Sequence, residues 1–319
     1  MKSGGGTSGQ SPGSSGKGSG NDKAGTTDKG SGNDKHGDTS GNVPSAGQPS
    51  PVSQTVPLGI HGTTVTTVDH HRDLNIDLQA AKDAGERISI KGSSVTFDKG
   101  LASVSVVTRE APEAQEGRIT GEVTSISLSS SPVNGQFADA GTVSASFHAD
   151  MNNMPSQDAT VSTILYKTPT PQVQAEFERA VGDEGYRLDS VAYAMQVQKD
   201  NLMDKTDVGQ AVVTMSVSPS WVLNHGGLTN TKVVRLADEG TSQVLDTRFV
   251  GLDSSQNMVF AATSPGGLSI FALISVKSSQ EPLAPLASPV PLSTLERSAS
   301  LVAVPPLLFF AAMIWIRRW

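Results

Sequence analysis

The chain has no cysteine among its 319 residues. That one absence removes disulfides, thiolate metal sites, cysteine nucleophiles and iron–sulfur clusters together. Aromatics are scarce as well, with three Trp, three Tyr and nine Phe, which leaves little from which to build a sugar-stacking platform. Clustered positive charge is also missing. The net charge is −7, and the 16 basic and 25 acidic side chains of residues 51–278 concentrate the negative balance in the middle. Without a Lys/Arg stripe, that middle has no means of holding DNA or RNA phosphates.

Several signatures of chemistry are absent too. No Gly-x-Ser-x-Gly elbow occurs at a strand–helix turn, and no phosphate-cradling Gly-x-x-x-x-Gly-Lys-Ser/Thr loop or dinucleotide fingerprint is found. His-Glu-x-x-His spacing does not occur, nor does Asn-x-Ser/Thr, so N-linked glycosylation by that rule is not expected.

What the chain does have begins with its two ends. Residues 1–55 are Gly, Ser, Thr, Asn, Asp and Lys with almost no apolar side chain, and Gly18-Ser-Gly-Asn-Asp-Lys23 returns unchanged as Gly30-Ser-Gly-Asn-Asp-Lys35. A segment with nothing to bury cannot offset its ordering entropy, so 1–55 reads as a disordered linker. Met1-Lys2 leads into Gly and Ser, not into an apolar secretory core. The expectation is therefore either an internal protein or the distal part of something longer.

At the other end, 279–298 is a proline-rich stalk, and 299–316 is a run of 18 residues without a charge. As a helix rising 1.5 Å per residue it would be about 27 Å long, enough to cross a hydrocarbon core of about 30 Å. Pro305-Pro306 would kink its start. Trp315 and Trp319 suit the membrane interface, and Arg317-Arg318 would stay cytoplasmic, leaving residues 1–298 outside. The reading is a single transmembrane helix that anchors the chain in the lipid bilayer.

Between the ends, apolar residues recur with period two. Ala102-Ser-Val-Ser-Val-Val-Thr108, Gly121-Glu-Val-Thr-Ser-Ile-Ser-Leu-Ser129, Thr142-Val-Ser-Ala-Ser-Phe-His148 and Ala159-Thr-Val-Ser-Thr-Ile-Leu-Tyr166 are examples. So are Ala211-Val-Val-Thr-Met-Ser-Val217, Lys232-Val-Val-Arg-Leu236 and Leu268-Ser-Ile-Phe-Ala-Leu-Ile274. Such alternation predicts strands with one core face and one wet face, and many short strands favour an antiparallel β-sandwich. The expected fold is mainly β, with a β-rich segment over 56–112 and a sandwich over 113–278. Whether the two form one unit is open at this stage. One packed helix is expected. Thr170 caps it, Pro171 opens it, Gly182 ends it, and Val173, Phe177, Ala180 and Val181 form its apolar stripe.

Candidate chemistry is thin. In Asp69-His70-His71-Arg72-Asp73, an extended backbone would send the two histidines to opposite faces, so one ion could not be gripped by both. His148 sits at a strand end, and His225 precedes two glycines that suggest a turn. A hydrolase built on His148 or His225 is the weakest functional reading. Asp200, Asp204 and Asp207 cluster about a loop and could hold Ca²⁺, but not at EF-hand intervals. No catalytic, cofactor or metal residue is assigned. Trp221 and Phe271 are expected in the core, Val213, Met215 and Val217 on one strand face, and Gly266-Gly267 in a tight turn into the last strand.

From residue 209 onward the chain carries a familiar order of pieces. These are Gly209-Gln-Ala-Val-Val-Thr-Met-Ser-Val217, Trp221-Val222, Val233-Val-Arg-Leu236, Val244-Leu-Asp-Thr247, Val259-Phe-Ala-Ala262 and Ser264-Pro-Gly-Gly-Leu-Ser-Ile-Phe-Ala-Leu273. The stretch 209–278 resembles the PGF-pre-PGF domain of archaeal cell-surface proteins, and the β-rich segment 118–211 resembles what accompanies it. The pattern departs where Gly267 follows Pro265-Gly266 in place of Phe, and the tail lacks the Pro-Gly-Phe sorting motif. The resemblance implies a surface role and carries no catalytic residues. The expected function is a membrane-anchored, structural or adhesive envelope protein, not an enzyme, with envelope polymers or other surface proteins as partners. The alternative is an extracellular module binding polysaccharide or Ca²⁺.

Overall fold

The computed structural model describes residues 50–279. The proline-rich stretch from residue 280, the uncharged run 299–316 expected to span a membrane, and all but the last residues of the N-terminal linker lie outside them. The chain begins with β1 (Val52–Pro57), β2 (Thr63–Val68), β3 (His71–Asp77), the short helix α1 (Leu78–Asp83), β4 (Arg87–Lys91), β5 (Ser94–Asp98) and β6 (Ala102–Thr108). It continues through β7 (Glu113–Gln115), β8 (Arg118–Ser130), β9 (Val133–Phe137), β10 (Gly141–Met151), β11 (Thr160–Tyr166), α2 (Pro171–Asp183) and β12 (Tyr186–Asp200). The last part is β13 (Val208–Val217), α3 (Pro219–Asn224), β14 (Thr231–Leu236), β15 (Ser242–Leu245), β16 (Thr247–Leu252), β17 (Met258–Ser264) and β18 (Ile270–Ser278).

The mainly β class expected from the alternation is what the structure shows, with antiparallel sheets throughout the named pairs. One sheet has six strands in the order β1-β11-β12-β18-β14-β15. The other runs β16-β17-β13-β10-β8-β6-β5-β4, with β2, β3, β7 and β9 attached. Inward residues of both sheets, including Phe147, Met215, Met195 and Phe271, belong to one core cluster. Tyr193 fastens the sheets together. From β12 its hydroxyl donates to the Ser144 carbonyl on β10 at 2.7 Å and accepts from the Ser216 N–H on β13 at 3.1 Å.

The segments 56–112 and 113–278 are not separate in space. β1 pairs with β11 in the smaller sheet, and β6 pairs with β8 in the larger. β1 also begins at Val52, inside the stretch assigned to the linker. Ser53, Gln54 and Thr55 hold no apolar signal of their own. Their order comes from the β11 backbone, to which Val52 through Pro57 are registered opposite Leu165 through Thr160.

α2 matches its stripe. Thr170 caps it by accepting from the Val173 N–H, and Phe177, Ala180 and Val181 are buried. Its end differs from expectation. Gly182 lies inside the helix, and the positive φ of +77° needed just beyond the C-cap is at Gly185. The stripe packs on Ala194, Val234, Ala272 and Ile274, which corrects the one-wet-face reading for the centre of the smaller sheet. In 271–276 the odd residues Phe271 and Leu273 enter the shared core, while Ala272, Ile274 and Val276 lie under the helix. A strand covered on both sides needs a continuous apolar run. Two further helices, α1 and α3, have six residues each, too short to show a helical period. α3 carries Trp221 into the core, 1% exposed.

Candidate functional site

The smaller sheet has a step in it. β18 stands between β12 and β14, and its first residue, Ile270, pairs with Gln196 on one side and Leu236 on the other. The chain reaches β18 from β17 in the larger sheet through Gly266-Gly267, and before Ile270 only Ser269 is still bonded to β12, its carbonyl accepting the Val197 N–H at 2.9 Å. The tight turn expected there is present, with Gly267 at φ +90°. β12 runs on to Asp200, and past Leu236 the chain turns through 237–241 into β15. The result is a cleft of about 610 Å³ lined by Gln196, Gln198, Lys199, Asp200, Leu236 and Asp238, with Ile270 at its end.

Beneath the cleft lies an ionic cluster. The Lys199 side chain, 4% exposed, donates to Asp204 Oδ2 at 2.9 Å, to Asp238 Oδ2 at 3.0 Å and to the Leu268 carbonyl. Arg235 is also buried. It donates to the Gly266 carbonyl at 2.7 Å and lies 3.8 Å from Asp204 Oδ2. Asp204 Oδ1 accepts the Leu268 N–H at 3.1 Å. Two buried cations therefore share one half-buried carboxylate, and the exposed Asp238 supplies the second negative charge.

This arrangement gives the three aspartates different occupations. Asp204 is committed to Lys199, Asp200 accepts from Thr160 Oγ1 at 2.9 Å, and Asp207 accepts from the Met203 N–H at 3.0 Å. Among the described residues no three of His, Cys, Asp or Glu are grouped as metal ligands would be. Asp69 and His70 both have positive φ, +47° and +69°, and form the two-residue turn of the β2–β3 hairpin. His71 leaves that turn in β3 and bonds Glu122 Oε1 at 2.8 Å.

The other histidines meet serine and aspartate, but not in a catalytic order. His148 Nδ1 is 2.8 Å from Ser129 Oγ on the neighbouring strand. His225 ends α3, lies tilted against Trp221 with ring centroids 4.8 Å apart, and bonds Asp189 Oδ2 at 3.0 Å. Ser275 Oγ donates to that same Asp189 oxygen at 3.1 Å. In a nucleophilic triad the histidine stands between serine and carboxylate so that it can take the hydroxyl proton. Here the carboxylate stands in the middle, and Ser275 is fully buried.

Asp189 is held down to about 2, from an ordinary 3.8, chiefly by the hydrogen bond from Lys277 and further by those from His225 and Ser275, against the opposing effect of burial. A carboxyl whose folded-state value is depressed stabilises the fold above its unfolded value and loses that contribution as pH falls through the folded one. Asp189→Asn is thus expected to flatten the fall of melting temperature between about pH 4 and pH 2. An unchanged acid limb, followed by circular dichroism, would contradict the assignment.

The sequence pointed at Asp200 and Asp204 but not at Lys199, Asp238 or the open position between strands. A signal did exist in the polar alternation Gln196-Val-Gln198-Lys-Asp200, where β12 leaves the shelter of α2, and in the charge within Val233-Val-Arg-Leu236. No family model matches the chain, and neither a curated protein nor a solved structure matches it. The resemblance of 209–278 to the PGF-pre-PGF domain accordingly rests on its quoted residues alone.

Proposed function

We propose that this chain is a membrane-anchored cell-surface protein whose acidic β body stands outside the cell in a structural or adhesive role, without catalysis of its own. The observation that carries the reading is the uncharged run 299–316 followed by Arg317-Arg318, which has the length and flanking charge of a single span. A stalk and the flexible composition of the first 50 residues fit a displayed body. The resemblance of 209–278 adds an archaeal envelope setting, and the antiparallel sheets sharing a core suit a sandwich ectodomain. Protease added to intact cells is expected to remove the β body while a short C-terminal fragment stays in the membrane fraction. A body that survives until the cells are lysed would overturn the outward orientation.

The cleft between β12 and the 237–241 turn favours a second reading, in which the β body is a binding module.

A further inference from the structure

The open position is one strand wide. β12 and β14 are each hydrogen-bonded to β18, so they stand two inter-strand spacings apart, about 9–10 Å. Where β18 is missing, that gap is kept on one side by β12 and on the other by the 237–241 turn, which closes on itself through Gly240 N–H to Ala237 O and Ala237 N–H to Thr241 O. β18 does not reach the end of β12. The Val197 N–H still reaches the Ser269 carbonyl at 2.9 Å, but no residue of β18 stands opposite Lys199. In an antiparallel ladder every second residue turns its N–H and C=O to the same side. The Lys199 backbone therefore faces the gap, just as Val197 faces β18.

Charge selects what can enter. Asp200 and Asp238 stand on the two walls. Asp238 crosses the gap to Lys199, which also keeps Asp204 and the Leu268 carbonyl. An arriving cation can pair with Asp200 and with the second oxygen of the exposed Asp238 while Oδ2 stays on Lys199, whereas an arriving carboxylate would meet two of its own kind. Gln196 and Gln198 stand on the same face as Asp200 and offer amides to the neighbours of that cation.

We propose that the gap takes an extended, lysine- or arginine-bearing peptide segment of a separate polypeptide, added as a strand in line with β18 and bonded to the Lys199 backbone. This rests on the binding-module reading and names its ligand. Main-chain bonds would supply affinity, and the two wall carboxylates would set the preference for a basic side chain.

The test is fluorescence anisotropy with the full chain in detergent and labelled hexapeptides of alternating threonine and lysine, or threonine and glutamate. Saturable binding of the lysine peptide alone is expected, weakened roughly tenfold by Asp200→Asn with Asp238→Asn. Asp238→Asn takes one counter-charge from Lys199, so the melting temperature should fall by a few degrees, and binding is compared at a temperature where both proteins are fully folded. Methylating alternate backbone amides of the peptide should abolish binding. Equal binding of both peptides, or indifference to methylation, would mean diffuse surface attraction and overturn the proposal. If Lys29→Gln with Lys35→Gln tightened the probe, the chain's own N-terminal segment would be the occupant, and a separate partner would be refuted. Binding of a neutral cellotetraose probe, sensitive to the same aspartate variants, with no peptide binding would overturn the peptide while leaving the binding module standing. No binding by any probe would remove both.

Discussion

The Asp204→Ala protein is expected to melt about 10 °C below the parent, a loss of roughly 3–5 kcal/mol. Asp204 lies in the loop after β12 and touches three other parts of the chain. It neutralises Lys199 on β12, faces Arg235 on β14 at 3.8 Å, and caps the Leu268 N–H on the way into β18. Lys199 and Arg235 are 4% and 6% exposed at their side chains. Without the carboxylate, water cannot replace it as a counter-charge, and removing one member of a buried ion cluster costs far more than an exposed pair contributes. Space is tight as well. A Cβ on Gly267 would fall 2.3 Å from Asp204 Oδ1, and one on Gly266 would fall 2.8 Å from Arg235 Nη1. The glycine pair therefore serves the turn and also the close approach of both charged groups.

A double-mutant cycle separates this account from a general loss of packing. Lys199→Met beside Asp204→Ala should cost much less than the sum of the two single changes, because the charge that was stranded is gone. Strict additivity, or a loss below about 1 kcal/mol for Asp204→Ala, would show that the cluster is not held by its charge. Asp204→Asn keeps an acceptor for the Leu268 N–H and should fall between parent and alanine.

The sequence was most readable where one local rule decides the outcome. β6 spans Ala102–Thr108 as the alternation predicts, since Ala102, Val104 and Val106 meet the core while Ser103 and Ser105 do not. α2 starts where Thr170 and Pro171 place it, because a cap needs only neighbours in sequence. Legibility fell where a distant element decides. The wet face expected for 268–274 is dry because α2, about a hundred residues earlier, covers it. β1 is a strand because β11 lends it a backbone. The ionic cluster draws Lys199, Asp204, Arg235 and Asp238 from two strands and two loops, and no spacing in the chain could announce the pairing. The three aspartates did announce themselves, but as an acidic cluster, since the lysine and arginine that occupy Asp204 come into view only in the fold.

A second large effect is expected at Glu86. Its carboxylate is 4% exposed and meets Lys99 Nζ at 2.7 Å, itself 11% exposed. The same ammonium donates to the Gly59 carbonyl at 2.5 Å, and the other carboxylate oxygen accepts the His61 N–H at 2.9 Å. One buried ion pair thus joins the turn before β4, the turn after β5 and the β1–β2 connection. That connection also threads Leu58 and Ile60 into the core, both at most 2% exposed. Glu86→Gln keeps size and an acceptor but strands the Lys99 charge, so about 3 kcal/mol should be lost in urea unfolding. Lys99→Met in the same chain removes that charge and should restore part of the loss, leaving the Gly59 carbonyl as the remaining deficit. Exchange of the His61 amide should quicken in Glu86→Ala, where its acceptor is gone, more than in Glu86→Gln, where one remains. If the two variants exchange alike, the connection is held by Leu58 and Ile60 and not by the ion pair. If Lys99→Met deepens the damage of Glu86→Gln, the ammonium matters for the carbonyl of Gly59 rather than for Glu86.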